Sequence, residues 1–289
     1  MGISRNTRLR RHKSNNSVIP GFTLSLGVTL TMLSLIVMIP LASVAVVMTG
    51  YSLAEFWATL TDKMALHAYW VSLSCALTAA IINVVFGIML AWVLVRYDFP
   101  GRRLLDGLIE LPFALPTAVA GIALTTLYSD QGWIGSLFAP YGIKISYTTT
   151  GITLALVFIG IPFVVRSVQP VLEKLDRQTE EAAAILGASP FTTFRRVILP
   201  ELLPAILTGF GLVLARGIGE YGSVVFIAGN IPYETQIAPL LIMVKLEQFN
   251  YAGATSIALV LIVLSFVILF TIHRLAGQIE RRIKGGADT

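Results

Sequence analysis

The sequence predicts an all-α membrane protein that crosses the bilayer six times. Of its 289 residues, 55% are hydrophobic and 13% are charged, and the mean hydropathy is +0.79. Soluble domains carry roughly 25% charged residues, so most of this chain must face lipid and not water. The apolar residues also form unbroken runs of about 20, the length that a helix needs to cross the hydrocarbon core. A β-barrel would show alternating segments of about ten residues instead.

Six apolar runs qualify as spans. In chain order they lie at about 22–48, 69–95, 105–128, 150–169, 202–228 and 252–273. We expect a basic tail over residues 1–17 and a membrane domain over residues 18–289. The apolar part of a cleaved signal peptide is about 7–15 residues long, so we interpret the longer first run as a retained span.

The third run contains two prolines four residues apart, Pro112 and Pro116. Each proline removes a backbone donor, so we expect this helix to be kinked or locally unwound. Asp106 and Glu110 lie near the start of the same helix, where the helix dipole tolerates negative charge. We interpret both acids as structural.

The distribution of Lys and Arg predicts the orientation. With the N-terminus inside, the inner segments hold seventeen basic residues and the outer loops hold three, Lys63, Lys144 and Lys245. Positive charge collects on the cytoplasmic side of membrane proteins. Both termini and the loop at 170–201 are therefore expected in the cytoplasm.

That loop is the longest charged segment between two spans. Its apolar residues from Val171 to Leu186 fall at helical spacing with charges between them, which predicts an amphipathic helix. Gly187 stands where a left-handed residue ends a helix. Ser189 and Pro190 then favour a new start, with a hydroxyl at the cap and proline in the first turn.

We expect the second helix of this loop to be short. Phe191, Phe194 and Val197/Ile198 would line one of its faces, and Pro200 would lead into span five. From the residues alone two interpretations stay open. The hairpin could fold back against the ends of its own spans, as interfacial helices do, or it could insert its apolar residues into a groove of a soluble partner.

Span five carries two charges, Arg216 and Glu220. Four residues apart, they share a helix face and can pair. A charge at this depth costs about 2.5–3.5 kcal/mol on insertion scales, so the pair must face protein or water. Two interpretations stay open. Arg216 and Glu220 could form a structural ion pair between spans, or Arg216 could border a path for anions while Glu220 restrains Arg216.

The loop resembles the Glu-Ala-Ala loop of ABC importer permeases, a family with the type I importer permease fold. At the family's spacing stand Glu181, Ala182, Ala183, Gly187, Val197, Leu199 and Pro200, and only Val197 departs, from the usual Ile. The resemblance implies that this loop, with Phe191 and Phe194, is the coupling helix held by an ATPase subunit.

Further stretches are similar to the sulfate/molybdate branch of these permeases, and within it to the T-type subunits of sulfate/thiosulfate transporters. They are Leu111–Gly121, Arg216–Asn230 and Ile231–Thr235. The resemblance implies alternating access in a cell inner membrane. It also implies a W-type sister permease subunit, two ATPase subunits that bind ATP and Mg, and a periplasmic sulfate-binding protein. Similar permeases occur in plastid envelopes, and the N-terminus does not decide between the two membranes.

Several other functions are less well supported. The chain contains no Gly-Lys pair and hence no phosphate-binding loop. We expect no catalytic residue, metal or cofactor on this chain, and the basic residues lie between spans, which argues against nucleic acid. A molybdate or tungstate permease and an ATP-independent secondary anion transporter or channel stay open as alternatives. A membrane enzyme should show clustered His, Asp or Cys, and none stands out.

Overall fold

The computed structural model describes residues 22–285. The predicted basic tail over residues 1–17 lies outside the described residues. Helix α1 spans Phe22–Met48, with one wider π turn at Ser34–Met38. None of its residues is buried, and its 27 residues exceed the length that a membrane span needs.

The rest of the chain from Met48 forms a separate compact unit built from helices. Helices α3, α7, α9 and α12 are each long and apolar enough to cross a membrane. The predicted all-α class is confirmed for the described residues. In chain order the helices are α2 (Leu53–Leu60), α3 (Lys63–Arg96), α4 (Arg102–Ala114), α5 (Thr117–Tyr128), α6 (Gly135–Phe138), α7 (Thr149–Lys174), α8 (Arg177–Ile185), α9 (Pro190–Ile218), α10 (Val224–Ala228), α11 (Ala238–Glu247) and α12 (Tyr251–Gly285).

Helices α3 and α7 form the centre of this unit. The buried face of α3 consists largely of small residues, including Ala76, Ala79 and Ala80, each fully buried. At Gly87 the two backbones come so close that an added Cβ would lie 2.7 Å from Cγ1 of Val164. Small side chains allow such close packing, which stabilises helix pairs where the hydrophobic effect between helices is absent.

The third apolar run is broken into two helices. Helices α4 and α5 meet at an angle of 110° around Leu115 and Pro116. Leu115 is extended, with φ −87° and ψ 136°, because the ring of a following proline disfavours the helical region. The sequence predicts a kink or local unwinding here, and the structure shows a complete break.

The broken pair still carries the chain from one face of the unit to the other. Arg166, near the C-terminal end of α7, binds Asp106 at 2.9 Å and Glu110 at 2.7 Å, both in α4. Ser146, just before α7 begins, donates a hydrogen bond to the carbonyl of Thr125 near the end of α5. Because α4 lies beside one end of α7 and α5 beside the other, the pair acts as one span. With α1 this makes six.

Two boundaries differ from the sequence prediction around the loop at 170–201. Helix α7 continues through Pro170 to Lys174, so the expected amphipathic helix from Val171 onward does not exist as one piece. Leu175 is extended and Asp176 caps a new helix, α8. The cap residue, and not the apolar spacing, sets where this helix begins.

The expected short second helix is likewise not separate from span five. It is the first part of α9, which is continuous from Pro190 to Ile218. A π turn at Phe194–Ile198, in which the N–H of Leu199 donates to the carbonyl of Phe194, precedes Pro200. This wider turn accommodates a proline that would otherwise interrupt the helix. Span five also ends at Ile218, earlier than the apolar run suggests.

Candidate functional site

Residues 176–200 form a helical hairpin, and its turn is fixed by backbone hydrogen bonds. Gly187 has φ +81°, a left-handed conformation that glycine adopts without strain. Its N–H donates to the carbonyl of Ala184, and the N–H of Ala188 donates to the carbonyl of Ala183, both at 3.0 Å. These two bonds define a Schellman motif, which satisfies carbonyls at the end of α8. The turn that the sequence predicts at Gly187 is therefore present.

Side chains cap both helices of the hairpin. The carboxylate of Asp176 accepts a hydrogen bond from the N–H of Gln178 at 2.9 Å, at the start of α8. The hydroxyl of Ser189 accepts one from the N–H of Thr192 at 3.3 Å, and Pro190 follows as the first residue of α9. Each cap satisfies a donor that a helix start leaves unpaired.

The tip of the hairpin exposes large apolar side chains. Ile185 is 86% exposed, Leu186 87% and Phe191 71%. We call these three residues the apex. Glu181 and Ala182 are also exposed. The apex does not fold back against the ends of the spans, which leaves an unpartnered apolar surface of the kind that marks interaction sites.

The base of the hairpin is packed against the membrane unit. The ring of Phe194 makes an edge-to-face contact with Trp92 of α3, with ring centroids 5.7 Å apart. Ile198 is buried in the core, and Leu199 packs against it. Of the face expected from Phe191, Phe194 and Val197/Ile198, Phe194 and Ile198 pack against the membrane unit, whereas Phe191 lies at the exposed apex.

An ion pair that the sequence analysis missed joins the hairpin to α3. Arg96, the last residue of α3, pairs with Glu180 of α8, and their side chains are 10% and 25% exposed. The guanidinium of Arg96 also lies over the ring of Trp92, 5.7 Å from its centroid. We call Trp92, Arg96, Glu180 and Phe194 the root of the hairpin. No helical spacing links residues 84 positions apart, so no sequence pattern could have found this pair.

The two charges of span five pair as the sequence predicts. Nη2 of Arg216 lies 3.1 Å from Oε2 of Glu220. Glu220 is 2% exposed, whereas the side chain of Arg216 is 46% exposed. The other carboxylate oxygen of Glu220 accepts hydrogen bonds from the N–H and the hydroxyl of Ser223, at 3.0 and 3.1 Å. Glu220 is therefore fully engaged inside the protein, while Arg216 faces outward.

This pair lies beside the break in the third span. The turn at 219–223 packs on the first turns of α5, and two glycines make the contact possible. A Cβ at Gly121 would lie 2.9 Å from the Cα of Ser223, and one at Gly222 would lie 3.1 Å from the Cβ of Thr117. The break and the charged pair thus form one region of the membrane unit.

The described part of the chain offers no group of three or more His, Cys, Asp and Glu side chains that could hold a metal ion. Cys75 is buried within α3. The described residues offer two candidate sites. One is the exposed apolar apex of the hairpin, which is suited to a protein partner, and the other is the charged pair of span five.

Comparison with known families identifies the class of protein to which the chain belongs. Residues 83–285, more than two thirds of the chain, match the family described as binding-protein-dependent transport system inner membrane component. The chain belongs to this family. It is a membrane subunit of a transporter, as the fold and the hairpin indicate.

Individual relatives are more specific. The sulfate transport system permease protein CysT of Salmonella typhimurium is 47% identical over 272 residues, which cover 94% of this chain and 98% of that protein. The protein of the same name from Synechococcus elongatus is 52% identical over 249 residues, covering 86% of this chain and 90% of that protein. The predicted similarity to sulfate permeases is confirmed.

Solved structures share the fold. A bacterial ABC transporter involved in the import of alginate matches with a TM-score of 0.73 at 15% identity, over 89% of this chain and 96% of that chain. The MetNI methionine ABC transporter in an inward-facing conformation matches with a TM-score of 0.56 at 17% identity, over 79% and 99%. The predicted ABC importer permease fold is confirmed.

Proposed function

We propose that this chain is the T-type permease subunit of an ATP-driven importer for sulfate and thiosulfate. The observation that carries the proposal is its similarity, at 47% identity over 94% of its length, to a protein named as a sulfate transport permease. The same name recurs among other relatives, at 47–52% identity, which favours sulfate over molybdate or tungstate. The substrate is a tetrahedral anion in each case.

The motor for this transport lies outside the chain. The chain has no Gly-Lys pair and so no phosphate-binding loop, and the hairpin presents an apolar apex that no described residue covers. Ile185, Leu186 and Phe191 are large exposed apolar side chains that a groove of a partner could bury. In the proposed assembly the partner is an ATPase subunit that binds ATP and Mg, and its closure moves the hairpin and the spans attached to it.

The complete importer contains further subunits. A W-type sister permease would form the other half of the path, two ATPase subunits would bind the two hairpins, and a periplasmic sulfate-binding protein would deliver the anion. The bias of Lys and Arg supports a cytoplasmic location for both termini and for the hairpin. The proposed location is a cell inner membrane.

Arg216 is the proposed anion contact of the path. Its side chain is half exposed within a membrane unit, so it must face another subunit or a water-filled path. The buried carboxylate of Glu220 holds it in place without covering it. In this role Arg216 attracts the anion, and Glu220 limits how tightly the anion binds.

Substitution of Gly187 tests the motor. A Cβ at Gly187 would meet nothing within 4 Å, but its φ of +81° strains any other residue by about 1–2 kcal/mol. In proteoliposomes holding the assembled importer, Gly187→Asp should lower uptake of radiolabelled sulfate about tenfold or more while ATP hydrolysis continues.

Gly142 supplies a matched control. It has φ +72° and equally open space, but it lies far from the hairpin, between α6 and α7. Gly142→Asp should transport normally. Normal uptake by Gly187→Asp would contradict the proposal, and uptake that persists without the ATPase would favour a secondary transporter. Unlabelled molybdate added as a competitor separates the two substrate assignments.

A further inference from the structure

The first helix of the hairpin has little packing of its own. Helix α8 has nine residues, and none of them is buried. Isolated helices of this length are unstable in water, so the position of α8 depends on contacts at its ends. The Schellman turn fixes its C-terminal end. Among the described residues, the ion pair at Glu180 is the contact that holds α8 to a membrane span by charge.

The other member of this pair is unusually well fixed. Arg96 ends a 34-residue helix and is 10% exposed. One side of its guanidinium lies over Trp92, and Trp92 in turn contacts Phe194. An arginine held between an aromatic ring and a carboxylate loses much of its freedom of orientation. The root therefore connects both helices of the hairpin to the same turn of α3.

From this arrangement we infer that Arg96 and Glu180 are positioning residues that set the angle between the hairpin and α3. A displacement of the apex is then passed to α3 as a rigid movement and is not absorbed by bending at residues 175–180. The inference deepens the proposed function and rests on it, because the displacement must come from a partner that holds the apex.

Three variants test it in the assembled importer reconstituted in proteoliposomes. Arg96→Gln removes the charge, and Arg96→Lys keeps it. Arg102→Gln is the matched control, because Arg102 pairs with Asp98 at 2.8 Å in an exposed pair that is not part of the root. We expect Arg96→Gln to lower sulfate uptake per ATP hydrolysed about fivefold or more, a modest coupling effect. Arg96→Lys should recover at least about half of the wild-type uptake per ATP hydrolysed, and Arg102→Gln should match the wild type.

A second measurement reports position directly. Cys75 is the chain's only cysteine, so replacing it by alanine allows spin labels at two chosen sites. Ala184→Cys labels the hairpin and Leu77→Cys labels the exposed face of α3. Pulsed electron–electron double resonance on the assembled importer should give one narrow distribution of distances between the two labels when Arg96 is present. The distribution should broaden with Arg96→Gln and narrow again with Arg96→Lys.

Each result decides the matter. An unchanged distance distribution in Arg96→Gln would overturn the inference, as would an unchanged uptake per ATP. A parallel loss of assembly, ATP hydrolysis and uptake would reduce Arg96 to a folding role and overturn it too. Failure of the proposed function looks different, because sulfate uptake would then proceed without ATP in every variant and in the wild type.

Discussion

Two Arg–Glu pairs in this protein are buried in opposite ways. In the root of the hairpin the arginine is the better buried member, with Arg96 10% and Glu180 25% exposed. In span five the glutamate is buried, with Glu220 2% and Arg216 46% exposed. The chemical groups are the same, but the first pair joins two helices and the second joins one helix to the turn that follows it.

In each pair other groups hold the buried member. Trp92 covers Arg96, and Ser223 donates two hydrogen bonds to Glu220. The root leaves no positive charge for an anion, since its arginine is enclosed. The span-five pair keeps its positive member outward, where an anion can reach it. The comparison teaches that burial, and not the identity of the pair, separates a connecting role from a binding role.

The largest expected effect is on stability in span five. Arg216→Met leaves the buried carboxylate of Glu220 without its counter-charge, which should lower the free energy of unfolding by about 3 kcal/mol. Glu220→Gln keeps an acceptor for Ser223, so it should cost less than about 1 kcal/mol. Thermal unfolding of the purified importer measures both. Equal losses of stability in Arg216→Met and Glu220→Gln would contradict the argument that burial separates the two residues.

The neutral double variant separates stability from transport. Arg216→Met combined with Glu220→Gln removes the uncompensated charge, so stability should return to within about 1 kcal/mol of the wild type. Sulfate uptake by this double variant should stay about tenfold or more below the wild-type rate, which corresponds to about 1.4 kcal/mol in activation free energy. Uptake at the wild-type rate would mean that Arg216 has a structural role only.

The smallest loss in the free energy of unfolding is expected in the root. There, replacing the glutamate should cost more than replacing the arginine, which is the reverse of span five. Glu180→Gln leaves the enclosed Arg96 unpaired and should cost about 1–2 kcal/mol, more than Arg96→Gln, which leaves the better-solvated acid. Limited proteolysis of the hairpin and thermal unfolding measure this difference. Asp98→Asn, which breaks an exposed pair, should stay within about 0.5 kcal/mol of the wild type. A larger loss for Arg96→Gln than for Glu180→Gln would contradict the burial argument.

Hydropathy and local backbone chemistry predicted much of this structure. The apolar runs located the spans, because length and composition decide what can cross lipid. Pro116 predicted the interruption of the third span, and Gly187 and Ser189 predicted the turn and cap of the hairpin. Each of these features depends on residues within one or two helical turns, which a sequence shows directly.

Other features depend on distant contacts or on summed local effects. The pair Arg96–Glu180 joins residues that only the packing of α3 and α8 brings together. Phe194 is as apolar as Phe191, so only the three-dimensional structure shows that one is packed inside and the other is exposed. The continuity of α9 past Pro200 depends on a wider turn that no residue type specifies.

That wider turn at Phe194–Ile198 also constrains how the chain can change in length. A π turn holds one residue more than an α turn, so deleting a single residue there would restore regular α geometry and leave the helix before it at nearly the same angle. A deletion in the regular α-helical part of α9 would instead rotate Phe191 by about 100° relative to the residues that follow. Among working relatives, single-residue deletions should therefore be tolerated better at Phe194–Ile198 than elsewhere in α9.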